Sequence, residues 1–253
     1  AASDVYKRQP PHFNNYIDTS NTVDGKPIYY LISVFDVVLD SLTNAGTVYL
    51  INCNNITVRD LTLTKNRDGI FLWNTTKSRI ENVTVSNDIY GISLYHSSND
   101  NQLVGSNISL NNWHGISFGD SSNNTLVGNI VSLNDHGGIF LVYSSNNLVY
   151  HNNFINNTPQ VVTYASVNVW DYGYPSGGSY WSDYNGTDFY SGPYQNVTGS
   201  DEIGDTPYVI DEQNQDRYPL MEPWKKVSGK LEILEPANGS TIAGLVAITF
   251  TIE

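Results

Sequence analysis

Five glycine-led apolar segments recur along the chain: Gly46-Thr47-Val48-Tyr49-Leu50, Gly69-Ile70-Phe71-Leu72, Gly91-Ile92-Ser93-Leu94, Gly115-Ile116-Ser117-Phe118 and Gly138-Ile139-Phe140-Leu141. Their glycines, Gly46, Gly69, Gly91, Gly115 and Gly138, are almost evenly spaced. A second column, Asn55, Ser78, Asn101, Asn124 and Asn147, keeps a strictly constant interval. A third column is Asn82, Asn107, Asn129 and Asn153, each just before an apolar residue. A fixed period of this length marks a stack of equivalent units, each touching only its neighbours.

Within one period lie three short alternations, for example Ile92/Leu94, Leu103 and Ile108/Leu110. Alternation with period two means strands with one buried face. Ser, Asn and Gly separate them, and Asn tolerates the left-handed backbone that tight corners need. Three strands and three corners make one coil, and stacked coils pair each strand with its equivalent about 4.8 Å away. The aligned asparagines then form amide ladders. The expected fold is all-β: a right-handed parallel β-helix, its hand following the sense of parallel crossovers. A leucine-rich repeat has a similar period, but its leucine-dense consensus is absent, and no helical periodicity appears.

The same register places coils from about Val23 to about Tyr184, within a solenoid unit of residues 10–184 that includes its N-terminal cap. A tract rich in Tyr, Trp, Gly, Pro and Asp follows, and residues 185–226 read as the C-terminal cap that a solenoid end requires. Residues 227–253 read as the first strands of an immunoglobulin-like module. Residues 1–9 fit no later pattern and read as a non-native leader.

Composition narrows the function classes. Lys+Arg is 12 against 25 Asp+Glu, a net charge of −13, while Asn alone reaches 31. Acidity of this size excludes a nucleic-acid binder that works by phosphate neutralisation. No apolar run is long enough to span a membrane. Cys53 is the single cysteine, so no internal disulfide framework exists.

The repeats, with Asn123-Asn124-Thr125-Leu126-Val127-Gly128-Asn129 as a typical unit, resemble the NosD-type β-helix repeats. The tail resembles archaeal cell-surface members of that family. It reads Ser179-Tyr180-Trp181-Ser182-Asp183-Tyr184, then Ile203-Gly204-Asp205-Thr206-Pro207-Tyr208, then Asp216-Arg217-Tyr218-Pro219-Leu220-Met221. The resemblance implies a right-handed β-helix outside the cytoplasm. It also implies two kinds of activity: accessory work in copper-site assembly of a nitrous oxide reductase, or carbohydrate binding and cleavage. Family tails often carry Asp-Gly-Asp-Gly before Ile-Gly-Asp, where this chain has Gly199-Ser200-Asp201-Glu202.

The candidate chemistry follows from residue types. Between Arg79 and Arg217 there is no Lys or Arg, over a stretch that spans most of the coils. An acidic-sugar substrate needs a cation or metal against its carboxylate, so these coils suit neutral glycans. A hydrolase needs two carboxylates. Asp88, Asn112 and Asp135 read as one column, putting Asp88 and Asp135 two rungs, about 9.6 Å, apart. His114 and His136 fall near the same corner, as candidate acid–base groups or metal ligands. Trp73, Tyr95, Phe71 and Phe140 read as outward aromatics and Trp113 as a corner aromatic. All five are candidates for stacking on sugar rings; the alternative is packing under a loop. Asp183, Asp201 and Asp205 in the cap are the candidate calcium ligands.

Nine Asn-x-Ser/Thr sequons occur, several of them on the ladder columns, and exposed ones fit an extracellular glycoprotein. The reading that follows is a non-catalytic, cell-surface or extracellular scaffold that binds glycans or envelope components and requires no cofactor. An inverting glycoside hydrolase or other carbohydrate-active enzyme, and a NosD-like periplasmic copper-maturation accessory, are the alternatives.

Overall fold

The computed structural model describes Phe13 and residues 15–225. The leader read at 1–9 and the module read at 227–253 lie outside them. The described chain is a parallel β-helix built from three long sheets. The first sheet stacks Lys26–Ile32, Thr47–Ile51, Asp68–Trp73, Tyr90–Tyr95, Ile116–Gly119, Ile139–Val142 and Val161–Tyr164, all parallel. Thr22–Val23 pairs antiparallel on its N-terminal edge. The second sheet runs from Val38–Leu39 to Leu148–Tyr150 and the third from Thr62–Thr64 to Tyr180–Trp181. Among the described residues there is no α-helix.

Each coil sends its alternate residues inward. Ile70, Ile92, Ile116 and Ile139 stack in register on the first sheet. Ile80, Leu103, Leu126 and Val149 do so on the second, and Val85, Ile108, Val131 and Phe154 on the third. All are essentially without solvent exposure. Each such side chain contributes roughly 1.5–3 kcal/mol by burial.

Polar side chains at the corners stack as well. In four internal ladders a side-chain oxygen of one coil accepts the backbone N–H of the coil before it. One ladder is hydroxylic: Thr75, Ser98, Ser121, Ser144 and Ser166, starting beneath the Cys53 N–H. The second climbs through Ser78, Asn101, Asn124, Asn147 and Asn168. The third climbs through Ser106, Asn129, Asn152 and Ser179. The fourth contains Asp88, Asn111, Asn134 and Asn157. A closed coil buries corner amides that no strand partner reaches, and these side chains supply the missing acceptors.

The ladders correct the expected columns at several positions. Ser78 receives the Ile56 N–H, so Asn55 lies outside the ladder and donates to Asp36 instead. Ser106 receives the Val83 N–H, which leaves Asn82 at an exposed corner with φ 50°. Asn107 faces outward, and Asn153 turns out to bracket the backbone of Trp224. The eight described sequon asparagines (Asn55, Asn74, Asn82, Asn107, Asn123, Asn156, Asn185, Asn196) are all exposed, and none is a ladder rung.

The C-terminal end is closed by a hairpin, Tyr208–Asp211 with Asn214–Asp216. Its second strand ends two ladders at once. Asn214 accepts the Asn168 N–H and the Trp170 indole N–H. Asp216 accepts the N–H groups of Ser179 and Tyr218 and the Trp181 indole N–H. Below the hairpin, Tyr208 stacks on Trp181 at 4.3 Å and Trp181 on Phe154 at 4.3 Å, joining cap and core. Arg217 clamps Asp171 through two hydrogen bonds of 2.9 and 2.7 Å.

Candidate functional site

The outer face of the first sheet carries the aromatics. Its first columns run Tyr30, Tyr49, Phe71 and Ile32, Ile51, Trp73, Tyr95. They form a second apolar cluster outside the solenoid, joined by Phe13. Phe13 lies 4.6 Å from Trp73 and 5.8 Å from Phe71, ring centroid to centroid. Phe71 is therefore 1% exposed and Trp73 6%, so neither presents a face to a sugar. Both point outward as expected, and Phe13 packs against them. His96 stacks on the other side of Trp73 at 4.6 Å. Tyr95 is half-buried over Gly119, where any Cβ would meet its ring.

Further along the solenoid, a different group sits at the corner between the third and first sheets. Trp113 stacks on His136 at 4.1 Å and stands edge-on to His114 at 5.9 Å. Tyr90 lies 6.5 Å from Trp113, and Phe140 stacks on His114 at 4.4 Å. Trp113 remains 36% exposed and His136 is exposed. His114 is buried, with Nδ1 3.3 Å from Ser117 Oγ. Burial, helped by His136, pushes its imidazole down to about 4, so it is neutral at physiological pH.

Beside this group are two leucines: Leu133, which sequence reasoning missed, and Leu110, read as alternating inward with Ile108 but placed past the end of that strand and exposed. Leu110 and Leu133 occupy equivalent corner positions, where neighbouring coils have Asn87 and Asn156. They are 49% and 48% exposed with φ of 57° and 54°. A bulky residue is strained there, and an exposed apolar side chain gains nothing in the free protein. The signal was present as leucine in a corner column that elsewhere holds Lys65, Asn87 and Asn156.

The carboxylate pair does not form. Asp88 aligns with Asn111 and Asn134, because Asp88 N–H donates to Asn111 Oδ1 and Asn111 N–H to Asn134 Oδ1. Asp135 is one residue later and faces solvent, while Asp88 is fully buried. The coil of Asn112 carries one extra residue, which shifted the apparent alignment. No hydrolytic step can use both groups.

The cap carboxylates are hydrogen-bonded loop clamps. Asp205 accepts from the N–H groups of Phe189 and Tyr190, and Asp201 from those of Gly192 and Ile203. Asp183 accepts from the Tyr208 hydroxyl on the wall of a cleft of about 380 Å³. Among the described residues no group of three or more His, Cys, Asp or Glu could hold a metal ion.

The family model described as periplasmic copper-binding protein (NosD) matches residues 14–186, the span of the solenoid. The chain belongs to the NosD family. No curated protein and no solved structure matches it. The copper in the NosD description finds no fitting donor set among the described residues. His96 and His136 stack on different tryptophans, and His151 Nε2 is held by the Ser176 carbonyl at 2.7 Å. Cys53 is buried in the core beside the Leu31 and Ile51 carbonyls, and burial pushes its thiol up. Copper sites need such ligands to converge, so no step is derived through the metal.

Proposed function

We propose that this NosD-family chain is a non-catalytic β-helical scaffold of the cell envelope or surface that binds neutral glycans at the Trp113 corner. The observation that carries this reading is the partly exposed Trp113 ring, stacked on His136 and flanked by Tyr90. Indole faces suit the apolar faces of sugar rings, and a rigid aromatic loses little entropy on binding. The strained, exposed Leu110 and Leu133 extend the apolar surface, while Asn112 and Asp135 supply hydroxyl partners. The long cation-free stretch favours an uncharged ligand. The exposed sequon asparagines agree with a location outside the cytoplasm.

The test is retention of the folded protein on neutral and acidic polysaccharides, with Trp113→Ala alongside. Retention on a neutral polymer that the variant loses supports the reading; equal retention of both sinks it. A second reading, a copper-maturation accessory, draws its support from the family description alone. A copper titration with no binding tighter than micromolar would end it.

A further inference from the structure

We propose that Asp88 is a proton-carrying rung: a neutral carboxylic acid that replaces an amide in the fourth ladder and makes the early coils sensitive to rising pH. The ladder geometry points to this. Asp88 Oδ1 accepts the Asn66 N–H at 2.5 Å, as Asn134 Oδ1 accepts that of Asn111 at 3.1 Å and Asn157 Oδ1 that of Asn134 at 3.1 Å. In those rungs the second atom is a donor. Asn134 Nδ2 donates to the Ile108 carbonyl at 3.2 Å, and Asn157 Nδ2 to the Val131 carbonyl at 2.8 Å. The register-equivalent acceptor for Asp88 is the Leu63 carbonyl.

Glycines of the first sheet mark where that second atom sits. A Cβ on Gly91, Gly115 or Gly138 would lie 2.9, 2.7 or 2.9 Å from the amide nitrogen of Asn111, Asn134 or Asn157. A Cβ on Gly69 would lie 2.9 Å from Asp88 Oδ2. Asp88 Oδ2 thus occupies the place of an amide NH₂, and it is buried with no hydrogen-bond partner among the described residues. An ionised oxygen there would face acceptors in an apolar interior. A proton on Oδ2 restores the donor that the other rungs have.

Among the described residues, the groups around it do not offset a negative charge. Asp68, on the first-sheet strand of the preceding coil, is acidic, and Asn66 and Asn111 are neutral amides. Tyr90, which opens the first-sheet strand following Asp88, brings a phenol. Lys65 and Arg67, at the same corner as Asn66, are exposed, and no ion pair reaches Asp88 among the described residues. The strands Thr62–Thr64 and Thr84–Ser86 contribute no charge. Burial, reinforced by Asp68 and opposed by the Asn66 hydrogen bonds, pushes the carboxyl up to about 7.

The sign follows from linkage. The unfolded carboxyl titrates near 3.8 and the folded one near 7, so the group's contribution is fully present below about 4. It is lost as pH rises to about 7 and is constant above. The test compares wild type with Asp88→Asn by urea denaturation between pH 4 and 9. Asp216, the other buried carboxyl raised to about 7, is common to both proteins and cancels.

The variant is expected to fold at least about tenfold more favourably than wild type at pH 8, with the advantage shrinking towards pH 4. An advantage independent of pH, or a variant weaker at pH 8, would overturn the proposal. Asp135→Asn, the same replacement at an exposed carboxylate, serves as the control. Should Asp88→Asn not fold, the Asp88 ¹³Cγ resonance of the wild type decides. A midpoint near 7 supports the proton, and a carboxylate already ionised at pH 5 refutes it.

Discussion

Asn129 serves two coils at once. Its Oδ1 accepts the Ser106 N–H at 3.0 Å, while Nδ2 donates to the Leu103 carbonyl and Asn152 Oδ1, both at 2.9 Å. Asn107, also a member of the column read from sequence, does none of this. Asn129→Ala should therefore cost about 2–3 kcal/mol, since it orphans a buried N–H and a buried carbonyl. Asn107→Ala should stay within about 0.5 kcal/mol, both read from urea midpoints. The two asparagines look alike in sequence because left-handed corners and inward rungs both favour Asn. Coils also differ slightly in length, and each such difference shifts a constant-period alignment by one, from the inward rung to its outward neighbour. Ladder existence was readable; rung identity needed the pairing. His114 is a second residue-scale test. Its imidazole should remain neutral by NMR down to about pH 5. Because its folded pKa is lowered from 6.5, its contribution to stability is lost as pH falls from about 6.5 to about 4.

At the scale of elements, the short strand Asn214–Asp216 carries the closure of the solenoid. The motif Asp216-Arg217-Tyr218-Pro219-Leu220 stood out in sequence as a family tail, but its work could not be read there. That work is to end the ladder that begins at Val83, as Asn214 just before it ends the one that begins at Ile56, contacts no local pattern encodes. Asp216→Ala leaves the Ser179 and Tyr218 N–H groups and the Trp181 indole N–H without their acceptor. We expect a loss of about 2–3 kcal/mol, measured by thermal or chemical denaturation. Ending the chain after residue 184 should have a different consequence. The top strands of the first and third sheets, Val161–Tyr164 and Tyr180–Trp181, would lose their cover, and exposed parallel edges recruit further strands. Sedimentation velocity should then show concentration-dependent self-association absent from the full chain. The aromatic face shows the opposite limit. The outward direction of Phe71 and Trp73 was readable from alternation, but Phe13, far earlier in the chain, packs against them. Exposure is a tertiary property, so the proposed glycan contact rests on Trp113 and not on Phe71 or Trp73.

On the scale of the whole molecule, the repeats supply rigidity and the proposed preference for neutral glycans rests on charge. Each coil is held by backbone pairing, an apolar interior and four side-chain ladders, so the corners form a fixed surface. The coils between Arg79 and Arg217 carry no Lys or Arg that could attract an anionic polymer. The NosD relationship accounts for the solenoid, and the described donors do not assemble the copper site that the family description names. The corner at Trp113 is where rigidity, partial exposure and strained neighbours coincide. The most direct measurement is therefore retention of wild type and Trp113→Ala on a panel of neutral and acidic polysaccharides, after matching their folded state by circular dichroism. The account predicts retention of the wild type on a neutral polymer and its loss in the variant. Retention confined to acidic polymers, or a variant retained as well as wild type, would contradict it.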